Sequence, residues 1–549
     1  MKLSQAYKTS FSAVLHIAVL LCYPLVVVAS LGIVLIPFFR AYLKETIGFG
    51  LLTGLFIAVF FLVSNTSFRR TFLIVSYLVL AFLAFLKLSF YYHYGVKLSA
   101  SALFVIFETN TTEASDFLSN YFDLKIILLL ILFLLPLFFL RKLFSSKSNL
   151  FKFREAFQLR TKSLKFRIPI LLLIVILGYG IQSKFKAENI FLTSFSSYEE
   201  YVITKNILKD NLAKKHSDVF SDVTSEKGRQ TYVIVIGEST SSWHMQLYGY
   251  HRNTNPLLTE IKDELTIFDS IITPDVHTIL ALEKILTLSD AKEPNKKSNG
   301  SIVQLANHAG FTTYWLSNQR PVGLHESVST LIGNAATQKN FIATDNYNYD
   351  IHDENLFPFL DQILKNSIEK KVLFIHLIGT HGTYKKRYPV AYERFTEKSP
   401  NLKYHHKKAI STTNDYDNAV LYNDFIVRTI IEKVRNVDDK SYVAYFSDHG
   451  DEVYDTMDLM GHNSYHATPP MHEIPFIVWF SEKYKANRSF STPKDSLSKR
   501  RYSLEDFIHT FSEISDITFK EFDPSKSIFN TEFIKRTRFI KTDVNYDKR

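Results

Sequence analysis

The feature that most constrains this chain is the contrast between its first third and the rest. Before about residue 185 the sequence is dominated by Leu, Phe, Ile and Val; after it, charged and polar residues are interspersed normally. Five apolar runs can be read in the first part, roughly 12–39, 47–64, 71–91, 124–140 and 168–183. A spanning helix needs about 20 apolar residues, so the expected fold is an N-terminal α-helical transmembrane bundle of five spans followed by a soluble α/β domain. The first run is too long for a cleaved signal peptide, and no small-residue cleavage site follows it, so it is read as a retained anchor. The overall hydrophobic fraction of 46% blends these two parts.

Lys and Arg set the orientation. The loop from Arg141 to Arg167 carries nine of them against one acid, Glu155, and is expected on the cytoplasmic side, together with Lys2, Lys8 and the Arg69–Arg70 pair. Five spans then put everything after residue 185 outside. The net charge of +10 is concentrated in such loops, and no nucleic-acid recognition motif accompanies it. The lone cysteine, Cys22, lies in the first apolar run, which excludes an intrachain disulfide and a cysteine-based metal site. The expected organisation is a membrane part over 1–184, an interfacial helical linker over 185–228 and a catalytic domain over 229–549. The outer loop at about 92–123 is amphipathic. It is read either as an interfacial helix or, through Thr109 and Glu113, as the lining of a lipid headgroup pocket.

From Thr231 onward, short apolar runs alternate with helical patterns: 231–237, 265–271, 312–317, 371–379, 441–448 and 474–480. Nearly continuous apolar stretches of this length suit parallel strands buried on both faces. Polar residues stand just past their ends: Glu238, then Asn318 and Gln319, then His381, then Asp448 and His449. Open α/β sheets bind ligands at the carboxyl ends of their strands, so these residues are expected on one edge.

Asp448 and His449 can both reach one divalent metal if the backbone turns there, and Gly450 permits a turn. Glu238 offers a third ligand. Mixed oxygen and nitrogen ligands suit zinc, with manganese possible. Thr278 falls where a loop becomes a helix, where free amides favour negative charge. As a plain N-cap it would do no chemistry. As a metal ligand its hydroxyl would become an accessible nucleophile.

GEST at 237–240, YGYHRNTNP at 248–256, a threonine about 40 residues after the Glu, HGTYKKRYP at 381–389, YDNAVLYND at 416–424, SDHGDE at 447–452 and MGHN at 460–463 together resemble the phosphoethanolamine transferases of the alkaline phosphatase/sulfatase superfamily. The resemblance covers essentially the whole chain. It implies a bacterial inner-membrane enzyme with a periplasmic catalytic domain. It also implies that Glu238, Thr278, Asp448 and His449 bind zinc, with Thr278 as nucleophile. His381 and His462 match histidines beside the transferred phosphate, Asn318 and Gln319 match a substrate-contacting turn, and Thr109 and Glu113 match a T-x-x-x-E in the outer loop. The implied reaction moves phosphoethanolamine from phosphatidylethanolamine to a lipopolysaccharide or lipooligosaccharide acceptor, a core sugar or lipid A, through a phosphothreonine-type intermediate. Val105 departs from an Asn of the family pattern, Arg320 is the nearest cation where the family often has a lysine, and no disulfide can form. These departures lean toward the branch acting on core sugars.

Three other readings compete with this one. A true sulfatase needs a Cys or Ser in a C/S-x-P-x-R setting, which Cys22, Ser241 and Ser242 lack. A glycerol-phosphate transferase of the lipoteichoic acid synthase type shares five spans and a threonine nucleophile and differs in its donor lipid. A catalytically decayed scaffold is disfavoured by the complete ligand set. The stretch 501–517 is read as a closing helix with a structural His509, and His405–Lys408 as a solvated face.

Overall fold

The computed structural model describes residues 2–63, 66–95, 97, 122–143, 163–289, 299–319, 328–343, 351–399, 401–488, 492–541 and 543–548. The chain forms two compact units that divide near residue 200.

The first unit is a helical transmembrane bundle: α1 (Lys2–Leu35), α2 (Phe39–Leu62), α3 (Thr66–Tyr94), α4 (Leu124–Leu143) and α5 (Leu164–Lys184). Among the described residues, four helices are long and apolar enough to cross a membrane, and the apolar stretch of α4, Leu124–Phe138, is shorter. Tyr77, Leu80, Ala84 and Leu88 recur at helical spacing along α3 and are fully buried. The Tyr77 hydroxyl donates to the Phe133 carbonyl of α4 at 2.6 Å, which satisfies the one polar atom on that stripe. On α5, Leu171, Leu172, Val175 and Ile176 are half or more exposed, as lipid-facing side chains are.

Among the described residues, two charged side chains are buried within these spans. Lys87 of α3 pairs with Glu45 of α2, and both are buried. Lys87 Nζ also donates to the Glu188 carbonyl at 2.9 Å, and the Tyr91 hydroxyl to Glu45 Oε1 at 3.0 Å. Each charged group thus has a partner, the condition under which ionisable residues persist in a membrane interior. Beyond α5 follow a short turn at Lys186–Glu188 and the helix α6 (Ile190–Leu212), in the stretch expected to be a helical linker.

The second unit is built on a seven-stranded sheet: β1 (Gln230–Gly237), β2 (Leu265–Ile267), β3 (Thr312–Ser317), β4 (Gln338–Phe341), β5 (Lys370–His376), β6 (Lys440–Ser447) and β7 (Phe476–Phe480). Its order is β2-β7-β6-β1-β5-β3-β4. The five strands from β6 to β4 are parallel, in the register Val235↔Ile375 and Val235↔Tyr445 around β1. Both faces are covered. Tyr232, Ile234 and Ile236 point into one apolar layer, and Val233 and Val235 into the other. Truncating one such side chain, for example Ile234→Ala, removes about 2–5 kcal/mol.

Four expectations need correction. β7 is antiparallel to β6, and β2 antiparallel to β7. A strand buried on both faces reads the same in either direction, so composition could not reveal this. The run 265–271 is not one strand: it splits, and Ser270–Ile272 pairs in parallel with Arg501–Ser503 in a separate ribbon. The run 371–379 leaves the sheet at His376. The stretch 501–517 is α-helical only over Phe507–Ile514, after a 3-10 turn at Leu504–Asp506, with strand residues at both ends. His509 there accepts the Asp523 amide at 3.2 Å. Of the His405–Lys408 run, His406 caps the long helix α8 (Lys407–Arg435) by accepting the Ala409 amide, and its other nitrogen meets Asp458 at 2.7 Å.

Candidate active site

Because the central strands are parallel, their carboxyl ends share one edge, and the chain delivers its polar residues there. β1 ends at Gly237, and Glu238 follows, buried. The next residue, Ser239, has φ 58°, a left-handed turn that redirects the chain. β6 ends at Ser447, and Asp448 and His449 follow, both fully buried. Thr278 is the first residue of helix α7 (Thr278–Ile285), with His277 as its N-cap.

These four residues converge. The Thr278 hydroxyl lies 3.2 and 3.3 Å from the two Glu238 oxygens and 3.3 Å from His449 Nε2. His449 Nε2 is 3.2 Å from Glu238 Oε1 and 3.6 Å from Asp448 Oδ2. A tetrahedral zinc with bonds of about 2.0–2.2 Å has ligand–ligand edges of about 3.3–3.6 Å. The observed spacings match those edges. Asp448 adds a second mark. Its Oδ1 accepts the amides of Ser239 at 3.1 Å and His449 at 2.7 Å, whereas Oδ2 is buried with no hydrogen-bond partner. A buried carboxylate oxygen left without a donor is costly unless a cation meets it. His449 Nδ1 faces the Gly450 carbonyl at 3.1 Å, which fixes the ring and aims Nε2 inward. Two carboxylates, an imidazole and a hydroxyl thus fit a divalent metal.

The electrostatics agree with that assignment. Burial pushes the Glu238 carboxyl up, but the hydrogen bond and charge of His449 outweigh it, and Glu238 stays well below the carboxylate range. Asp448 is raised well above that range by burial and by the Glu238 charge. Burial opposes the charge on His449, yet Asp448 and Glu238 lift it to about 10. Without a cation, a proton has to serve as the positive charge among these groups.

The outer ring is equally specific. Gln319 donates to Glu238 Oε2 at 2.8 Å and to the Leu377 carbonyl at 3.1 Å. Its neighbour Asn318 donates instead to Asp353 Oδ1 at 2.9 Å and to the Ile351 carbonyl at 3.0 Å. Asp353 in turn accepts the amides of Ile378 and Gly379. Gly379 has φ +52°, and a Cβ there would sit 2.8 Å from the Glu238 backbone nitrogen and oxygen. Gly450 serves a related purpose: a Cβ there would meet the Pro470 carbonyl at 2.2 Å. The glycine is required by close backbone approach and not by a positive φ.

His462 Nδ1 meets Asp451 Oδ1 at 2.8 Å, and its ring lies 4.2 Å from that of His449 and 5.2 Å from that of His277. His449, Asp451 and His462 make a second group able to hold a metal. His381 is half-buried. Burial lowers its pKa, and the Glu238 charge opposes that shift. Arg387 holds the His381 loop through the carbonyls of His381 and Gly382, at 3.0 and 3.1 Å. Burial and His462 depress His277 to about 3. Thr109, Glu113, Val105 and Arg320 lie outside the described residues.

Other motifs serve as scaffold. His244, fully buried, is held between Asp417 Oδ1 at 2.6 Å and Asp455 at 3.1 Å. Tyr250 and Arg252 both donate to Asp417 Oδ2, at 2.9 and 2.7 Å. Tyr416 of α8 accepts the Ser241 amide at 2.8 Å and donates to the Ser239 carbonyl at 2.7 Å, bracing the turn beside Glu238. Asp451, Asp417 and Tyr416 stand in the sequence only as members of the motifs SDHGDE and YDNAVLYND, with no role of their own. Their partners lie far along the chain, and only the Asp451–His462 proximity within two neighbouring motifs carried a hint.

The sulfatase family model matches residues 230–517, the stretch that holds this sheet and the residues at its carboxyl edge. Phosphoethanolamine transferase EptC of Escherichia coli O18:K1:H7 is 33% identical over 480 residues, covering 82% of this chain and 81% of that protein. The C-terminal periplasmic domain of Escherichia coli EptC in complex with Zn is 31% identical, with TM-score 0.57, over 60% of this chain and 96% of that one. The integral membrane lipooligosaccharide phosphoethanolamine transferase A of Neisseria meningitidis shares the fold along 93% of this chain and 97% of its own, with TM-score 0.65 and 22% identity. This chain belongs to the phosphoethanolamine transferases of the sulfatase family.

Proposed function

We propose that this protein transfers phosphoethanolamine from phosphatidylethanolamine to a lipopolysaccharide or lipooligosaccharide acceptor through a covalent intermediate on Thr278. The observation that carries the reading is the Thr278 hydroxyl, held 3.2–3.3 Å from Glu238 and His449. Zinc is the metal the site fits best; held by Glu238, Thr278, Asp448 and His449, it would lower the hydroxyl pKa and balance charge on the phosphoryl oxygens.

The residues of the chain then divide the work. In the first step Thr278 Oγ1 bonds to phosphorus, the bond from phosphorus to the diacylglycerol oxygen breaks, and the threonine proton ends on that oxygen. In the second step an acceptor hydroxyl oxygen bonds to phosphorus, the Thr278 bond breaks, and the acceptor proton returns to Thr278. His381 and His462 carry these protons, and Asp451 orients His462. The spans keep the site near a bilayer lipid, and the relatives' periplasmic domain supports an inner-membrane protein with its catalytic unit on the outer side. Thr109 and Glu113 are proposed to hold the donor headgroup.

The test is the intermediate. Purified protein incubated with phosphatidylethanolamine should yield a phosphoethanolamine mass adduct on the peptide containing Thr278. An adduct elsewhere, or turnover without one, would overturn the mechanism. Phosphatidylglycerol in its place should give none; an adduct from that lipid would favour glycerol-phosphate transfer.

A further inference from the structure

Five residues past Glu238, Trp243 stands exposed at 39%, while the other two tryptophans of the chain, Trp315 and Trp479, are at 0% and 2%. Its indole Nε1 donates to Glu473 Oε2 at 2.7 Å. The second oxygen of Glu473 accepts the Tyr546 hydroxyl at 2.8 Å. Among the described residues no lysine, arginine or histidine pairs with this carboxylate. Trp243 is fixed by its edge, which leaves its face open.

This cluster is stitched to all three parts of the active site. The amide and hydroxyl of Ser242 donate to the Glu473 carbonyl at 3.0 and 3.1 Å, on the run that leaves Glu238. Pro470, three residues before Glu473, packs its carbonyl against Gly450 beside His449. His472 Nδ1 meets the Thr273 carbonyl at 2.9 Å, five residues before Thr278.

We infer that Trp243, Glu473 and Tyr546 form an acceptor subsite that binds a sugar ring next to the one being modified. This rests on the transferase reading above. An ionised carboxylate is acceptor-only with about four lone-pair sites. Two neutral donors leave capacity that ring hydroxyls fill. The open indole face supplies a large, rigid apolar surface for the C–H face of the ring. The carboxylate accepts hydrogen bonds and donates none, so it favours a sugar hydroxyl over a phosphate as the group presented here.

The experiment uses the full chain in phosphatidylethanolamine vesicles, with a delipidated lipopolysaccharide core oligosaccharide as probe. Trp243 is the one tryptophan that solvent reaches, so the oligosaccharide should shift intrinsic fluorescence saturably, and Trp243→Phe should abolish the shift. Trp243→Ala and Glu473→Gln should raise the acceptor KM about tenfold or more, with Trp243→Phe intermediate, while the Thr278 adduct still forms from the donor. An unresponsive wild-type fluorescence, or normal acceptor KM in Trp243→Ala, overturns the subsite. So does a saturable shift with ethanolamine and none with the oligosaccharide. Absence of the adduct in the wild-type protein strikes instead at the transferase reading, and the fluorescence titration of that same protein stands apart from it.

Discussion

The side-chain amide of Gln319 donates to Glu238 Oε2 at 2.8 Å, from the end of a strand that is two places from β1 in the sheet. It therefore braces a carboxylate proposed as a metal ligand, in addition to the substrate contact that the family resemblance implies for Gln319. Removing such an outer partner costs about 10–100-fold in metal affinity or activity. Gln319→Leu should weaken zinc binding by that factor in a competition titration against a chromophoric chelator. Unchanged affinity would return Gln319 to a substrate role.

Thr278→Ala deletes the proposed nucleophile and one of the proposed metal ligands. Transfer should fall on the order of 10³-fold or more, and the adduct should vanish. Thr278→Ser keeps the oxygen and should retain an adduct, now on serine, visible in the same peptide map. Adduct formation by the alanine variant would exclude Thr278 as the attacking group.

Metal removal should act at the same step. Dialysis against a strong chelator should abolish the adduct, and stoichiometric zinc should restore it. Adduct formation at full rate after chelation, with the metal shown absent by elemental analysis, would refute the assigned ligand set.

Gly450→Ala forces a methyl group to within 2.2 Å of the Pro470 carbonyl. Backbone has to move, and the cost should lie at or above the upper end of about 1–3 kcal/mol. The moving turn carries Asp448 and His449, so zinc content should drop along with melting temperature. A folded, zinc-replete Gly450→Ala protein would show that the turn tolerates the shift.

His244 carries a pH dependence of its own. Burial opposes its charge, but Asp455 and Asp417 raise its pKa to about 10 from the ordinary 6.5. A pKa raised in the folded state stabilises fully below the unfolded value and loses that contribution as pH climbs through the folded value. Its share of stability should therefore be intact at pH 6 and fade between about pH 7 and 10. His244→Asn should cost about 3–5 kcal/mol, as breaking a buried pair does, and flatten the alkaline slope of thermal stability. An equal slope in the variant would assign it to other groups.

The site was legible in the sequence to the extent that each proposed ligand follows directly on a strand or opens a helix. Glu238, Asp448 and His449 sit one or two residues past uninterrupted apolar runs, so their common edge followed from parallel pairing. β4 was not foreseen, because its residues Gln338–Phe341 are a polar edge strand without an apolar run. The direction of β7 left no trace in composition. Nor could a sequence show that Gly450 answers to Pro470, or that Tyr416 braces Ser239 and Ser241, since those partners are brought together only by the finished fold. The same distance hid the Glu473–Trp243 contact, which spans 230 residues.

The Glu45–Lys87 pair bears on how the bundle is made. A bare charge costs up to roughly 2.5–3.5 kcal/mol at the centre of a span and less toward its ends, and Glu45 lies in the first third of Phe39–Leu62 and Lys87 in the last third of Thr71–Tyr94. The two sit on consecutive helices, so α2 and α3 can leave the insertion machinery as one neutralised hairpin where each alone would carry a bare charge into lipid. Lys87→Leu would strand Glu45 during biogenesis and should lower the yield of membrane-integrated protein. Pairing it with Glu45→Leu should restore that yield. The ion pair is in this sense an assembly instruction, spent before the catalytic domain has been synthesised.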